Sequence, residues 1–232
     1  MRRCAKQMSI NKQAYEQLIT DLGSHHVSLV AVSKTKPVAE IKELYDLGQK
    51  DFGENYVQEL TQKQSQLPKD IRWHFIGHLQ SNKVKQIAPF IHLIQSVDSL
   101  KLLQEINKQA QKNGRIINCL LQVYIAREET KFGLDEKELE ALIDRNSNEL
   151  HELENIRIVG LMGMASFTDD MDKVRAEFRY LKKLFDTLTA KLTTHNSQLL
   201  TLSMGMSSDY FVAVEEGSTM VRIGSLVFGA RN

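Results

Sequence analysis

The stretch VSLVAVSKTKPVAEIKELYDLG, residues 27–48, holds the pattern from which the fold follows. Its first six residues, VSLVAV, are an apolar, β-branched run of the kind that fills a buried strand. Beyond SKTKP, the residues Val38, Ile41, Leu44 and Tyr45 recur at the spacing of one helical face, and Gly48 stands where a left-handed cap stops a helix. The same order, strand then helix, returns along the chain. DFGEN at 51–55 leads into YVQELTQKQSQL, RWHFIG at 72–77 into SNKVKQIA, and IHLIQSV at 91–97 into SLKLLQEINKQAQKNG, capped by Asp98 or Ser99 and stopped by Gly114. INCLLQVYI at 117–125 is followed by the loop AREETKFG and a helix opening at Asp135, where Asp135 and Glu138 have the spacing of a capping box. IRIVGLMGM at 156–164 precedes a long amphipathic helix from about Asp170 to Leu192. LLTLSMG at 199–205 precedes a short helix starting near Ser207 to Asp209, and STMVRIG at 218–224 a short tail. Strands alternating with helices predict a parallel sheet, and eight such units predict a closed (β/α)8 TIM barrel of the α/β class. An extra N-terminal helix at 10–22 covers one end. A doubly wound open sheet is the alternative.

Composition fits one such barrel. The chain has 232 residues, and barrels of this kind run to about 200–250 residues as one unit. No Gly-, Pro- or Ser-rich linker divides it, so residues 1–232 read as a single domain with residues 1–9 a mobile start. Thirty Lys and Arg against 29 Asp and Glu leave a formal charge of +1, which argues against a nucleic-acid partner. Two cysteines, Cys4 and Cys119, are too few for a disulfide framework. No run approaches the ~18 apolar residues of a membrane helix, and MRRCAKQMSINKQ lacks the apolar core of a signal peptide. The expectation is a cytoplasmic monomer, starting at Met1 or Met8.

In such a barrel the working residues lie at the C-terminal ends of strands. Lys34 directly follows the first run, on the face of Val30 and Val32. A lysine partly desolvated there has a lowered pKa, and the neutral amine attacks aldehydes. Lys36, before Pro37, reads as a rim residue. SMGMSSD (203–209) and VRIGS (221–225) fall after strands seven and eight, where barrels commonly bind phosphate with small residues and helix N-termini. Arg222 shares parity with Met220 and Gly224. It suits a phosphate, a ligand ring nitrogen or an ion pair on the barrel floor. His74 and His78 are four apart, but no carboxylate or cysteine stands near them at ligand spacing, so no metal is expected. They read instead as satisfied polar groups at the barrel mouth. Asn55 ends DFGEN, placed for a ligand or a turn.

Taken together, LVAVSKTKP (29–37), FGENYVQE (52–59), WHFIGHLQSNK (73–83), GLMGM (160–164), SMGMSSD and GSTMVRIGSLVFGAR (217–231) resemble the pyridoxal 5′-phosphate homeostasis, or YggS-like, family. The resemblance spans nearly the whole chain. It implies a barrel similar to the N-terminal domain of alanine racemase, with pyridoxal phosphate held as an imine on Lys34. It places the phosphate at Ser203, Gly205, Met206, Gly224 and Ser225, the ring nitrogen at Arg222, and Asn55 and His74 in the pocket lining. Ser225 stands where the family usually has threonine, and the hydroxyl is kept.

The resemblance further implies a carrier and regulator of intracellular vitamin B6, with PLP-dependent apo-enzymes as possible recipients and no turnover. Arg222 is only a donor, so a ring nitrogen facing it stays unprotonated and the ring is a weaker electron sink. Alanine racemases add a tyrosine base from a second domain, and the chain, ending at Asn232, is expected to have none. Among its own tyrosines, Tyr56 is the one nearest a strand end. The alternatives are a racemase-like enzyme using Lys34 as its single base, and an aldolase-type barrel, for which no internal acid is evident.

Overall fold

Each apolar run pairs with the next as a parallel strand, and the last pairs with the first. The structure, a computed structural model, describes residues 10–126, 133–143, 150, 152–191 and 199–229. The expected start at 1–9, with Cys4, and most of the AREETKFG loop lie outside the described residues. In chain order the elements are α1 (Lys12–Ser24), β1 (Ser28–Val32), α2 (Val38–Asp46), β2 (Asp51–Glu54), α3 (Val57–Gln66), β3 (Arg72–Phe75), a 3-10 turn (Ser81–Lys83) running into α4 (Val84–Ile87), and β4 (Leu93–Val97). Then come α5 (Leu100–Lys112), β5 (Ile117–Val123), α6 (Glu136–Ile143), β6 (Ile156–Gly163), α7 (Met171–Lys191), β7 (Thr201–Ser203), α8 (Tyr210–Glu215), β8 (Met220–Ile223) and α9 (Ser225–Phe228). The strands close as a barrel in the order β1 to β8, with Val30 of β1 opposite Arg222 of β8. The closed (β/α)8 architecture is the one the repeating pattern predicts, and the open sheet is excluded.

Alternation divides the barrel into two layers. Leu29, Ala31, Phe52, Trp73, Phe75, Ile94, Cys119, Leu121, Leu202 and Val221 belong to a large buried cluster with helix residues such as Ile41, Leu44, Leu60, Leu103, Phe178 and Leu181. Each such side chain contributes about 1.5–3 kcal/mol when fully buried, so this outer shell holds the barrel together. Residues of the other parity fill the bore. There a separate small cluster, Leu93, Leu120 and Met162, sits among polar groups.

The helix ends follow local chemistry. Asp135 and Glu138 form a reciprocal capping box, with Glu138 N donating to Asp135 Oδ1 (2.8 Å) and Asp135 N to Glu138 Oε2 (3.0 Å). Ser99 caps α5, and Gly48 and Gly114 take positive φ after α2 and α5. Two expectations shift. The first helix does not cover an end of the barrel: α1 lies along its flank against β1 and α9, and Asn11 N donates to Val227 O (2.7 Å). The single turn of α9 gives β8 little cover, and the buried Tyr15, Leu18 and Leu22 of α1 supplement it. The helix expected near 207–209 begins at Tyr210, because the Asp209 carboxylate turns back to accept from Met206 N (2.6 Å). No helix among the described residues is long and apolar enough to cross a membrane.

Candidate functional site

A cavity of about 360 Å³ opens at the C-terminal ends of the strands, within the size range of small-molecule sites. Its wall takes Val32, Lys34 and Lys36 from β1 and its loop, Asn55 after β2, Ile76 after β3, and Met164 and Phe167 after β6. Met206, Ser207 and Ser208 follow β7, and Arg222, Gly224 and Ser225 come from β8 and its turn into α9. Lys34, Asn55, Met206, Arg222, Gly224 and Ser225 are thus brought together; Ser203, Gly205 and His74 are not in the lining.

Lys34 projects from a braced turn. Thr35 has φ +65°, a conformation that costs a β-branched residue on the order of 1–3 kcal/mol and needs support from its surroundings. That support is Glu59, whose Oε1 accepts from Thr35 N (2.6 Å). Buried Lys63 of α3 donates to Glu59 Oε1 (2.6 Å), Glu54 Oε1 (2.8 Å) and Ser33 O (2.7 Å), and Ser33 Oγ donates to Glu54 Oε1 (2.6 Å). Burial pushes the Glu54 carboxyl above the usual carboxylate range, against the opposing pull of Lys63. Glu54, Glu59 and Lys63 were missed by the sequence reading, although the first two lie within FGENYVQE. A Glu–Lys pair four residues apart on a helix looks the same whether solvated or buried.

Asn55 is pressed into the cavity by its neighbour. A Cβ on Gly77 would fall 2.3 Å from Asn55 O, so the chain after β3 lies directly against the chain after β2. Asn55 Oδ1 is buried with no hydrogen-bond partner among the described residues. A buried acceptor left open in a cavity marks a place for a ligand donor or water.

Arg222 is 4% exposed, and its Nη2 donates to Gly163 O (2.9 Å). Burial pushes its pKa down to about 10, with the Asp209 charge opposing, so it stays cationic at neutral pH. Ser203 lies behind it, fully buried, accepting from Arg222 Nη1 (2.6 Å) and donating to Gln95 Oε1 (2.7 Å). The hydroxyl expected to face an anion is used inside the bore. Gly205 serves the turn: φ is +98°, a Cβ would meet Ala213 Cβ at 2.7 Å, and its carbonyl accepts from Arg222 N (3.0 Å).

His74 sits deeper and faces the other way. Its Nε2 lies 3.0 Å from Asp51 Oδ1 and its Nδ1 3.0 Å from Gln95 Nε2. It borders a second cavity, of about 390 Å³, at the N-terminal opening with Asp51, Arg72 and His92. The lining role expected for His74, and its place at the barrel mouth, are corrected accordingly. The strands tilt in a closed barrel, so one line of register climbs from one opening toward the other. Val32 pairs with Gly53 and Gly53 with His74, yet Val32 lines the upper cavity and His74 the lower. His78 is apart from both and pairs with Asp98 (3.4 Å). The ligating atoms of Asp51, His74 and His92 lie within 4.8 Å of one another, but the Arg72 guanidinium already holds both oxygens of Asp51 (2.6 and 2.5 Å). Tyr56 is 60% exposed and faces a neighbouring groove with Phe75 and Gln80.

Comparison with known proteins fits this geometry. The family model described as alanine racemase, N-terminal domain, matches residues 10–232. A pyridoxal phosphate homeostasis protein of Aquifex aeolicus is 42% identical over 210 residues, covering 90% of this chain and 89% of its own length. The protein of that name from Homo sapiens is 40% identical over 231 residues, covering 95% and 82%. PipY of Synechococcus elongatus, solved with PLP bound, matches with a TM-score of 0.84 at 35% identity, covering 96% of this chain and 100% of PipY. An alanine racemase of Bartonella henselae shares the fold at a TM-score of 0.69 and 20% identity, with 61% of its chain matched. On its sequence and on its barrel, the chain belongs to the pyridoxal phosphate homeostasis family, built on the fold of the alanine racemase N-terminal domain.

Proposed function

We propose that this chain binds pyridoxal 5′-phosphate in the C-terminal cavity and serves intracellular vitamin B6 homeostasis as a carrier and regulator without turnover. The observation that carries the reading is one cavity wall bearing Lys34, Arg222 and the unpartnered buried oxygen of Asn55. The residues present fit the group. Lys34 would hold the aldehyde as an imine, with release of one water, in a bond that a free amine would displace by exchange. With the group bound, the Arg222 guanidinium would serve the ring nitrogen, Asn55 Oδ1 would accept from a polar substituent, and Met206, Gly224 and Ser225 would hold the phosphate. Bound pyridoxal phosphate supplies an electron sink, and Arg222, as a pure donor, keeps that sink weak. The lining contains no tyrosine and no carboxylate among the described residues. This arrangement suits a cytoplasmic protein that holds a reactive aldehyde and yields it to apo-enzymes.

Borohydride reduction of the loaded protein followed by peptide mass mapping tests the reading. The pyridoxyl group is expected on Lys34, with loss of the imine absorption band in Lys34→Ala. Labelling of Lys36 with Lys34 unmodified, or no band on titration with pyridoxal phosphate, overturns it.

A further inference from the structure

We infer that Gln95, in the middle of the bore, is the positioning residue for Arg222 and acts through the Ser203 hydroxyl; the inference rests on the reading that Arg222 faces the ring nitrogen. Four buried side chains and the partly buried Asp51, from five strands, form one line: Arg222 Nη1 to Ser203 Oγ (2.6 Å), Ser203 Oγ to Gln95 Oε1 (2.7 Å), Gln95 Nε2 to His74 Nδ1 (3.0 Å), and His74 Nε2 to Asp51 Oδ1 (3.0 Å). Their exposures are 4%, 0%, 0% and 1% for Arg222, Ser203, Gln95 and His74, so water does not compete for the three links among them.

Donor and acceptor chemistry leaves this line a single sense. Arg222 only donates, so Ser203 Oγ accepts from it and sends its one proton to Gln95. Gln95 must then present its carbonyl to Ser203 and its amide N–H to His74, whose Nδ1 is bare. The imidazole proton is on Nε2 and points at Asp51, which is kept ionised by Arg72. A fixed cation at one end and a fixed anion at the other orient every group between them. Chains of this kind reinforce each link by polarisation. Ser203, Gln95 and His74 each accept on one side and donate on the other, and Gln95 is the middle group, whose two ends join the Arg222–Ser203 half to the His74–Asp51 half. Arg222 Nη2 is tied to Gly163 O, and the Ser203 link fixes the second terminal nitrogen, so the plane of the guanidinium is set from below. Nothing in IHLIQSV distinguished this glutamine from any other strand residue.

The test compares pyridoxal phosphate with its 1-deaza analogue, which has carbon in place of the ring nitrogen, by titrating the imine band. In Gln95→Met, affinity for pyridoxal phosphate is expected to fall about ten-fold with a shifted band, the size of one hydrogen bond to a charged group. Affinity for the deaza analogue is expected to stay within about two-fold, because that ligand makes no bond for Arg222 to aim. Ser203→Ala should match it, and the double variant should be no worse than either single one. Unchanged binding of pyridoxal phosphate in Gln95→Met, or equal losses for both ligands, overturns the inference and leaves the cofactor reading standing. The ligand-free protein gives an independent readout. The 15N shifts of His74 are expected to report the Nε2–H tautomer in wild type, and in Gln95→Met a displaced Nδ1 shift as that nitrogen loses its donor while Asp51 keeps the proton on Nε2. An Nδ1–H tautomer in wild type overturns the relay whether or not pyridoxal phosphate binds.

Discussion

At the scale of single residues, Lys63 shows how a strained turn is held. Its ammonium is buried, and it donates to two carboxylates and one carbonyl. Removing one partner of a buried ion pair costs about 3–5 kcal/mol, because the other charge is left unpaired. Lys63→Met is therefore expected to lower unfolding free energy by about that amount in urea titrations. Glu54→Gln added to it should restore part of the loss, since burial already works against the Glu54 charge. Imine formation should remain weakened in the double variant, because Glu59 then lacks the partner that holds it under Thr35. Lys34 itself was legible: the parity of VSLVAVSK puts it on the inner face, and the strand end puts it at the mouth. Ser203 and His74 were legible only in part. Parity gives the side of the sheet a residue faces, but its depth in the bore follows from the stagger between strands, which no short segment encodes.

At the scale of elements, β6 and β7 approach more closely than any side chain allows. An ideal Cβ on Gly160 would stand 1.7 Å from Thr201 O. Gly160→Ala is expected to destabilise the chain by about 3 kcal/mol or more through backbone displacement, measurable by thermal or urea unfolding. Gly77→Ala makes a different prediction. Its Cβ would collide with the Asn55 backbone at 2.3 Å, in a loop rather than inside the sheet. Affinity for pyridoxal phosphate should fall more than stability does, and titration beside a melting curve separates the two. Strand-helix alternation, the Asp135–Glu138 box and Gly48 could be read directly because each is a local pattern. The register shift between β5 and β6, where Cys119 pairs with Ile158 and Leu120 with Gly160, and the pairing of Gly160 with Thr201 are long-range features with no local mark.

At the scale of the whole molecule, the two openings of the barrel answer to different conditions. Asp51 closes the lower one. Burial raises its pKa, but the hydrogen bonds from Arg72 and His74 outweigh that and hold the carboxyl well below its ordinary value. A depressed carboxylate stabilises the fold fully above its unfolded pKa of about 4 and loses that contribution as pH falls toward the folded value. Asp51→Asn should be less stable than wild type by about 1–3 kcal/mol at pH 7, and the gap should narrow as pH falls below about 4. Urea titrations at several pH values check both the sign and the window. A gap that widens on acidification would refute the assignment.

The division between an outer shell and a bore has a historical consequence. Along each strand, one set of alternate residues grips the helices and the other set faces the contents. The buried apolar residues of the two sets form separate clusters, so a lineage can rewrite one set and inherit the other. A barrel of this kind can change what it holds by altering every second letter of its strands, while the letters between keep it shut.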